Sequence, residues 1–481
     1  MLKYRYRKPH GVSSCLHTNT NSPVSKKPKS EGEVNMKKAI SIALALLMVA
    51  VMLPVMAAAA DTEITTEEEL RTAVGAMKGG DNVTVRLKND VTINENLVVS
   101  TGTLTILGQG HTITFSLHSL VLSGTAMLNL GTKEGEGTSV NDLILTSEDP
   151  TSCVVGAGGS SVLNMYHGVT IKDSIARGQA GGVQVTDKAT FNMHGGMIDN
   201  CVSQYAVAGG VYIDCNGKFN MYDGIIQHCY GVRGGAVGLA DAAPIFGGTP
   251  SGPAGFHMYG GTIKDCHDKS LGGGAVFAYT GEPISFIMDG GTITGCSADG
   301  NGYGGAIFIF TTDSNAVIEI NKGEITGNSG VYGGGVFVYE GTVKIADGVA
   351  LHNNTATKEG DDLYNESGSV TLGKLPAGLK LAPCGCDIDG WYHDKKDARW
   401  SSTKCGGGED RMEKHTETAF TDGRALKAAH GEAPAPPIII VPEAPEQEAP
   451  NPTTGSRDLV GVAAAMAAAS LLGAAAVIRK K

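Results

Sequence analysis

Basic charge is what this sequence is short of: 38 Lys and Arg stand against 49 Asp and Glu, a balance of −11. Nucleic-acid binding needs clustered Lys and Arg, so the balance argues against a phosphate-binding surface and for solubility outside the cell. Charge of either sign is thin at 18%, tryptophan occurs twice, and the 68 glycines follow no collagen triplet, which leaves tight turns between short strands as their use. A Walker lysine with a following helix is missing after Gly108-Gln109-Gly110 and Gly272-Gly273-Gly274, so both read as turns rather than phosphate loops. Helical repeats are excluded by the frequency of Gly-Gly pairs, each glycine costing a helix ~1 kcal/mol relative to alanine. At 481 residues the chain exceeds one ordinary compact core, which leaves several domains or one elongated repeat.

Long apolar runs stand only at the two ends. Met36-Lys37-Lys38 precedes the run from Ala39 to Val55, and Ala57 to Ala60 supply the small residues of a cleavage site, so residues 36–60 read as a secretory signal peptide. Residues 1–35 are polar and basic without a core-forming pattern; either translation starts at Met36 or the leader has a long n-region. At the other end Leu459 to Ile478 is long enough as a transmembrane helix to cross a ~30 Å hydrocarbon layer. Arg479-Lys480-Lys481 belongs on the cytoplasmic side, which puts residues 61–458 outside. Immediately before the span stand Asn451, Pro452, Thr453, Thr454 and Gly455. This order resembles the sorting signal of Gram-positive wall-anchored proteins, in which an L-P-x-T-G-type pentapeptide, an apolar span and a basic tail follow one another. Asn451 departs from the commoner Leu and leaves the class of sortase open. The resemblance covers residues 451–481 and implies that a sortase cuts between Thr454 and Gly455 and joins Thr454 to peptidoglycan. An ordinary membrane anchor at 459–478 is the alternative. Residues 431–450 carry Pro434, Pro436, Pro437, Pro442, Pro445 and Pro450 and read as an extended spacer.

The middle of the chain repeats itself. Phe191-Asn192-Met193-His194-Gly195-Gly196-Met197-Ile198-Asp199-Asn200-Cys201 returns as Phe219 to Cys229, Phe256 to Cys266 and Phe286 to Cys296, then with Asn for Cys at Ile318 to Asn328 and Val343 to Asn353. The turn glycines Gly196, Gly224, Gly261, Gly291, Gly323 and Gly348 stand 28, 37, 30, 32 and 25 residues apart, a solenoid period. The longest interval holds an inserted loop at about 240–255. A second anchor, Gly181-Gly182, Gly209-Gly210, Gly234-Gly235, Gly273-Gly274, Gly304-Gly305 and Gly334-Gly335, leads into an apolar strand each time. Within such strands Val276 and Ala278 alternate with Phe277 and Tyr279, the period of a β-strand. Stacking at ~4.8 Å turns each repeat column into a ladder. Met193, Met221, Met258 and Met288, then Ile320 and Ile345, form a core column. Cys201, Cys229, Cys266 and Cys296, then Asn328 and Asn353, form a second, whose parallel in-register side chains suit reduced, buried thiols better than disulfides.

This Gly-anchored pattern resembles the right-handed parallel β-helix superfamily, the pectin-lyase-like fold, over residues 61–380. The implied fold is all-β, a solenoid with an N-terminal capping helix at Thr66 to Met77, where Thr66 and Glu69 make a capping box and Leu70, Ala73, Val74 and Met77 share a face. Residues 381–430 read as a small Cys-containing module; Cys384-Gly385-Cys386, His393, Cys405 and His415 make a disulfide simpler than a metal site there, and no cofactor is implied. The superfamily includes polysaccharide lyases and hydrolases, whose carboxylate or Ca²⁺ constellations are not legible here: galacturonase and pectate-lyase signatures are missing, and Asp361-Asp362 replaces a Gly-Gly turn in a degenerate coil. Arg177 and Arg233 stand in turns without an assignable acid partner. The expected function is that of a surface-anchored adhesin or ligand-binding protein, with sortase and peptidoglycan as partners and glycans or proteins meeting the inserted loop and exposed Tyr230, Tyr303 and Tyr332. A surface lyase or glycoside hydrolase is the alternative.

Overall fold

The computed structural model describes residues 60–431, apart from 179, 206, 241–252, 271, 281–282, 301, 396–412 and 422. The leader, the Pro-rich spacer, Asn451 to Gly455 and the span at 459–478 lie outside the described residues, among which no helix is long and apolar enough to cross a membrane.

The chain winds into stacked parallel sheets, the architecture of a parallel β-helix solenoid. One coil serves as the pattern. Thr190–Met193 lies on a first ladder, Met197–Asp199 on a second, the short Val202–Ser203 on a third and Val211–Ile213 on a fourth. Each strand then bonds only to its counterparts in the coils before and after: Thr190–Met193 sits between Val162–Met165 and Lys218–Met221, all parallel and in register. In two coils the first and second ladders run together as the bent strands Ile284–Thr294 and Val317–Thr326. A strand whose alternate residues face inward needs a period-two sequence, and Phe191 and Met193 are buried while Asn192 is partly exposed.

The interior is made of like side chains stacked on like. Phe191, Phe219, Phe256 and Phe286 stack with ring centroids 4.8, 5.0 and 5.5 Å apart. Met165, Met193, Met221, Met258, Met288, Ile320, Ile345 and Leu372 follow in register and are all buried. On the outside of the first ladder, Asn129, Asn164, Asn192 and Asn220 hand a side-chain hydrogen bond from each amide nitrogen to the preceding carbonyl oxygen, at 2.8, 2.9 and 2.9 Å. The Gly-Gly anchors are close approaches, where a Cβ on Gly182 would stand 2.6 Å from the Gly210 carbonyl oxygen of the next coil.

Both ends are closed. Helix α1 (Glu67–Gly75) is capped by Thr66, whose hydroxyl accepts from the Glu69 N–H at 3.3 Å while Glu69 accepts from the Thr66 N–H at 3.1 Å. It buries Leu70 and Val74 and, through Arg71, bonds the carbonyls of Glu95 and Asn96. At the far end, the stretch 381–430 contributes Gly390–His393, Ala419–Phe420 and Arg424–Ala429, which pair antiparallel with one another or with Leu363–Asn365 and Ser369–Leu372 of the last coil. These strands occupy the hydrogen-bonding edges of the last coil, to which a further parallel coil would otherwise bond.

Candidate ligand-binding face

The fourth ladder carries the outer surface with the most aromatic chemistry. Its strands Val276–Thr280, Ile307–Thr311 and Val336–Glu340 point Val276, Ile307 and Val336 into the solenoid and Phe277, Phe308 and Phe337 out of it. These outward rings are nevertheless buried, because the segments that lead from the third ladder to each Gly-Gly anchor fold across them. Val207, Ala208, Tyr303 and Tyr332 come from those segments, and with Tyr212, Phe277, Phe308, Phe337 and Tyr364 they make a second apolar cluster outside the solenoid core. Tyr303 and Tyr332, expected as exposed, are half-buried in this cluster, and Tyr230 is half-buried on the third ladder. The correction has a simple cause: an apolar strand face in water recruits the nearest aromatic loop residues as its cover.

Where that cover ends, a groove of about 510 Å³ opens, lined by Tyr279, Tyr303, Phe308, Phe310, Tyr339 and Glu340. Tyr279 and Phe310 continue the outward row one step along their strands and stack at 4.8 Å and 24°. The row then breaks. Ile309 pairs with Val338, but Phe310 pairs with Glu340, so Tyr339 is the extra residue of a β-bulge. Bulges are rare between parallel strands, and they re-aim side chains. The Tyr339 ring accordingly stands 59° from that of Phe310 at 5.4 Å and is 45% exposed. Tyr303 packs on Phe337 at 4.8 Å and is tilted 44° to Phe308. The inserted loop leaves its coil beside this groove, since Ala240 pairs with Tyr279, although residues 241–252 themselves lie outside the described part.

A second aromatic feature runs along the turn between the first and second ladders. Tyr166, His194, Tyr222 and Tyr259 stack at 5.0, 4.9 and 4.8 Å, and His257 lies 3.6 Å from the Tyr259 ring. His257 Nε2 and Asp289 Oδ2 are 2.6 Å apart, a bond that holds the Asp289 carboxyl below its ordinary range. Tyr222 and Tyr259 of this row are exposed.

Cys201, Cys229, Cys266 and Cys296 are free, buried and in successive coils, each thiol within donor reach of an isoleucine carbonyl of the preceding coil, at 3.9, 3.9, 3.8 and 4.0 Å. Asn328 Nδ2 bonds the equivalent Ile293 carbonyl at 3.0 Å and continues the column. The next rung is Asn354 and not Asn353: Val349 adds a residue between Gly348 and the strand Ala350–His352, so Asn354 reaches the Ile325 carbonyl at 2.9 Å while Asn353 turns outward at φ 55° and bonds Lys380 and Ala382. Asp362 ends the column, its Oδ1 accepting from Asn354 N and Nδ2 at 3.0 and 2.9 Å. Asp361 is ion-paired with Lys427 at 2.7 Å, and Asp361, Asp362, Asp394 and Lys427 are all buried in the cap, out of reach of a substrate. Burial pushes Asp362 up to about 7. Arg177 and Arg233 hold turns by backbone bonds to Pro150 and Val207. Cys384 is disulfide-bonded, the His393 and His415 rings meet edge to face at 5.2 Å, and Cys405 lies outside the described residues, among which no cluster of three or more His, Cys, Asp or Glu could hold a metal.

Sequence reasoning missed Tyr279, Phe308, Phe310, Tyr339 and Glu340. Their signal was present: Val276-Phe277-Ala278-Tyr279, Ile307-Phe308-Ile309-Phe310 and Val336-Phe337-Val338-Tyr339 follow directly or after one alanine on successive Gly-Gly anchors. No protein-family model, curated protein or solved structure matches this chain.

Proposed function

We propose that the protein is an exported, surface-anchored rod that binds a ligand without cleaving it. The observation that carries this reading is the aromatic groove on the fourth ladder, concave, half-open to solvent and free of paired carboxylates. Tyrosine and phenylalanine faces at the surface of a rigid scaffold are a binding chemistry, offering apolar area with little conformational entropy to lose. The adjacent acid pair of the solenoid, Asp361-Asp362, is committed to the cap. The rod itself is read as a right-handed coil of the pectin-lyase type, the hand that parallel crossover connections almost always take. Its tether is read as Thr454, joined to peptidoglycan by a sortase that recognises Asn451 to Gly455, with the helix 459–478 holding the precursor in the membrane until then.

The test incubates the purified chain with a panel of pectins and host glycans and follows both retention and product formation. Saturable binding that Tyr339→Ala weakens about tenfold or more, with no new reducing or unsaturated ends, is the expected result. Bond cleavage would replace this reading by that of a lyase or hydrolase.

A further inference from the structure

We propose that the groove formed by Tyr279, Tyr303, Phe308, Phe310, Tyr339 and Glu340 is a cage for a quaternary ammonium group of the choline type. The inference rests on reading the fourth-ladder face as the ligand-facing one, and it names the chemistry that face selects.

Three observations lead there. The first is geometry. A stack of parallel rings offers only edges, whereas a cation needs ring faces, and Tyr339 at the bulge and Tyr303 both leave the parallel stack where the groove opens, at 59° to Phe310 and 44° to Phe308. The second is charge. Glu340 is the one ionisable acid or base in the lining besides the tyrosines, and the acids Glu359 and Glu366 lie close enough to Tyr364, on the next strand of the ladder, to help burial push that phenol up to about 12. A carboxylate beside aromatic faces draws a cation. The third is a cation already in place on the same cluster: Lys358 Nζ lies 5.0 Å above the Tyr332 ring, and that ring is 5.8 Å from Tyr303.

The choice of a methylated ammonium over a primary amine follows from hydrogen bonding. A primary ammonium carries three N–H donors and needs acceptors when it leaves water. The groove supplies one carboxylate and otherwise ring faces and phenols. A trimethylammonium group has no N–H to satisfy, spreads its charge over methyl groups and sheds water at lower cost, so ring faces and one carboxylate are sufficient.

Titration calorimetry on the purified full-length chain tests the cage with two probes of the same shape, choline and its uncharged carbon isostere 3,3-dimethyl-1-butanol. Choline is expected to bind saturably, the isostere at least about tenfold more weakly, and Tyr339→Ala to cost choline about tenfold. Glu340→Gln should weaken choline several-fold and flatten the dependence on salt. Tyr339 is 45% exposed, so its variant should melt with the native chain, which a thermal scan checks. Equal binding of the two probes, no choline binding, or choline binding indifferent to Tyr339→Ala each overturns the cage. If choline fails while a glycan is still lost in Tyr339→Ala, only the cage falls. If no ligand of any kind responds to Tyr339→Ala, the binding face falls with it.

Discussion

Five turn glycines between the first two ladders, Gly196, Gly224, Gly261, Gly291 and Gly323, have a methionine partner one coil away. Gly224 sits at φ 102°, and a Cβ there would meet the Met193 methyl at 2.6 Å and the Gly196 carbonyl oxygen at 2.8 Å. Gly348 has a comparable φ of 85° but nothing within 4 Å of its Cβ position, because Val349 shifts this turn by one residue and the preceding coil offers Ile320 in place of methionine. Gly224→Ala therefore combines left-handed strain with overpacking and should cost about 2–4 kcal/mol. Gly348→Ala should cost only the strain, about 1 kcal/mol. Urea denaturation of the two variants gives the comparison, and equal losses would contradict the methionine lock. A second residue-scale prediction concerns Asp362. Its folded-state pKa of about 7 lies above the ordinary 3.8, since burial outweighs the bonds from Asn354 and Ala428 and the nearby Lys427. The stability it contributes is thus complete below the unfolded value and is lost as pH rises through the folded one, over roughly pH 4 to 7. His352 and His415, which are buried, and half-buried His393, whose pKa values burial lowers, slope the other way. The difference between the native chain and Asp362→Asn cancels the histidines, and it should favour the native chain increasingly as the pH falls across that window.

The ladders behave as elements in their own right. In the cysteine column each thiol is a weak donor to two backbone carbonyls, as Cys229 is to Ile198 at 3.9 Å and Gln227 at 3.3 Å. Asn328 makes the same pair of bonds with Nδ2, to Ile293 and Thr326, and adds an acceptor for the Cys296 N–H at 2.9 Å. Cysteine and asparagine are therefore two solutions to one corner, which explains a substitution that looks arbitrary in a string of letters. Hydrogen bonding with Cys229 and burial hold the Cys201 thiol well above its ordinary range, burial does the same for Cys266, and it raises Cys153 to about 11. Mass spectrometry after brief alkylation of the folded chain at pH 8 should find Cys215 and Cys386, both partly exposed, modified first, and the ladder thiols only after unfolding. Early modification of Cys229 or Cys266 would mean that the corner opens. This much of the fold was legible because column, turn and alternation recur in every coil. The groove was less so: its aromatics recur too, but the bulge that turns Tyr339 is a register event between two strands, and neither strand alone announces it.

For the whole molecule, the problem of a parallel solenoid is its ends, where a coil would offer open backbone and core to the next molecule. Helix α1 answers it at the start and the antiparallel strands Gly390–His393, Ala419–Phe420 and Arg424–Ala429 at the finish. The finish is held by a buried ion pair, and removing one partner of such a pair leaves an unpaired charge. Lys427→Met should destabilise the chain by about 3–5 kcal/mol, and pairing it with Asp361→Asn should recover part of the loss. Urea midpoints of the single and double variants decide between that coupling and simple additivity. The amino-acid sequence by itself determined the period, the inward and outward faces of each strand, the thiol column and the capping helix, because these follow from patterns within one coil and its repetition. Tertiary structure alone decided that Asn354 rather than Asn353 continues the column, that Tyr303 and Tyr332 cover an outer apolar face, that the strands Gly390–His393, Ala419–Phe420 and Arg424–Ala429 close the last coil, and that one bulge opens a groove. Those outcomes depend on how a coil meets its neighbours, where one inserted residue or one shift of register changes which side chains face each other.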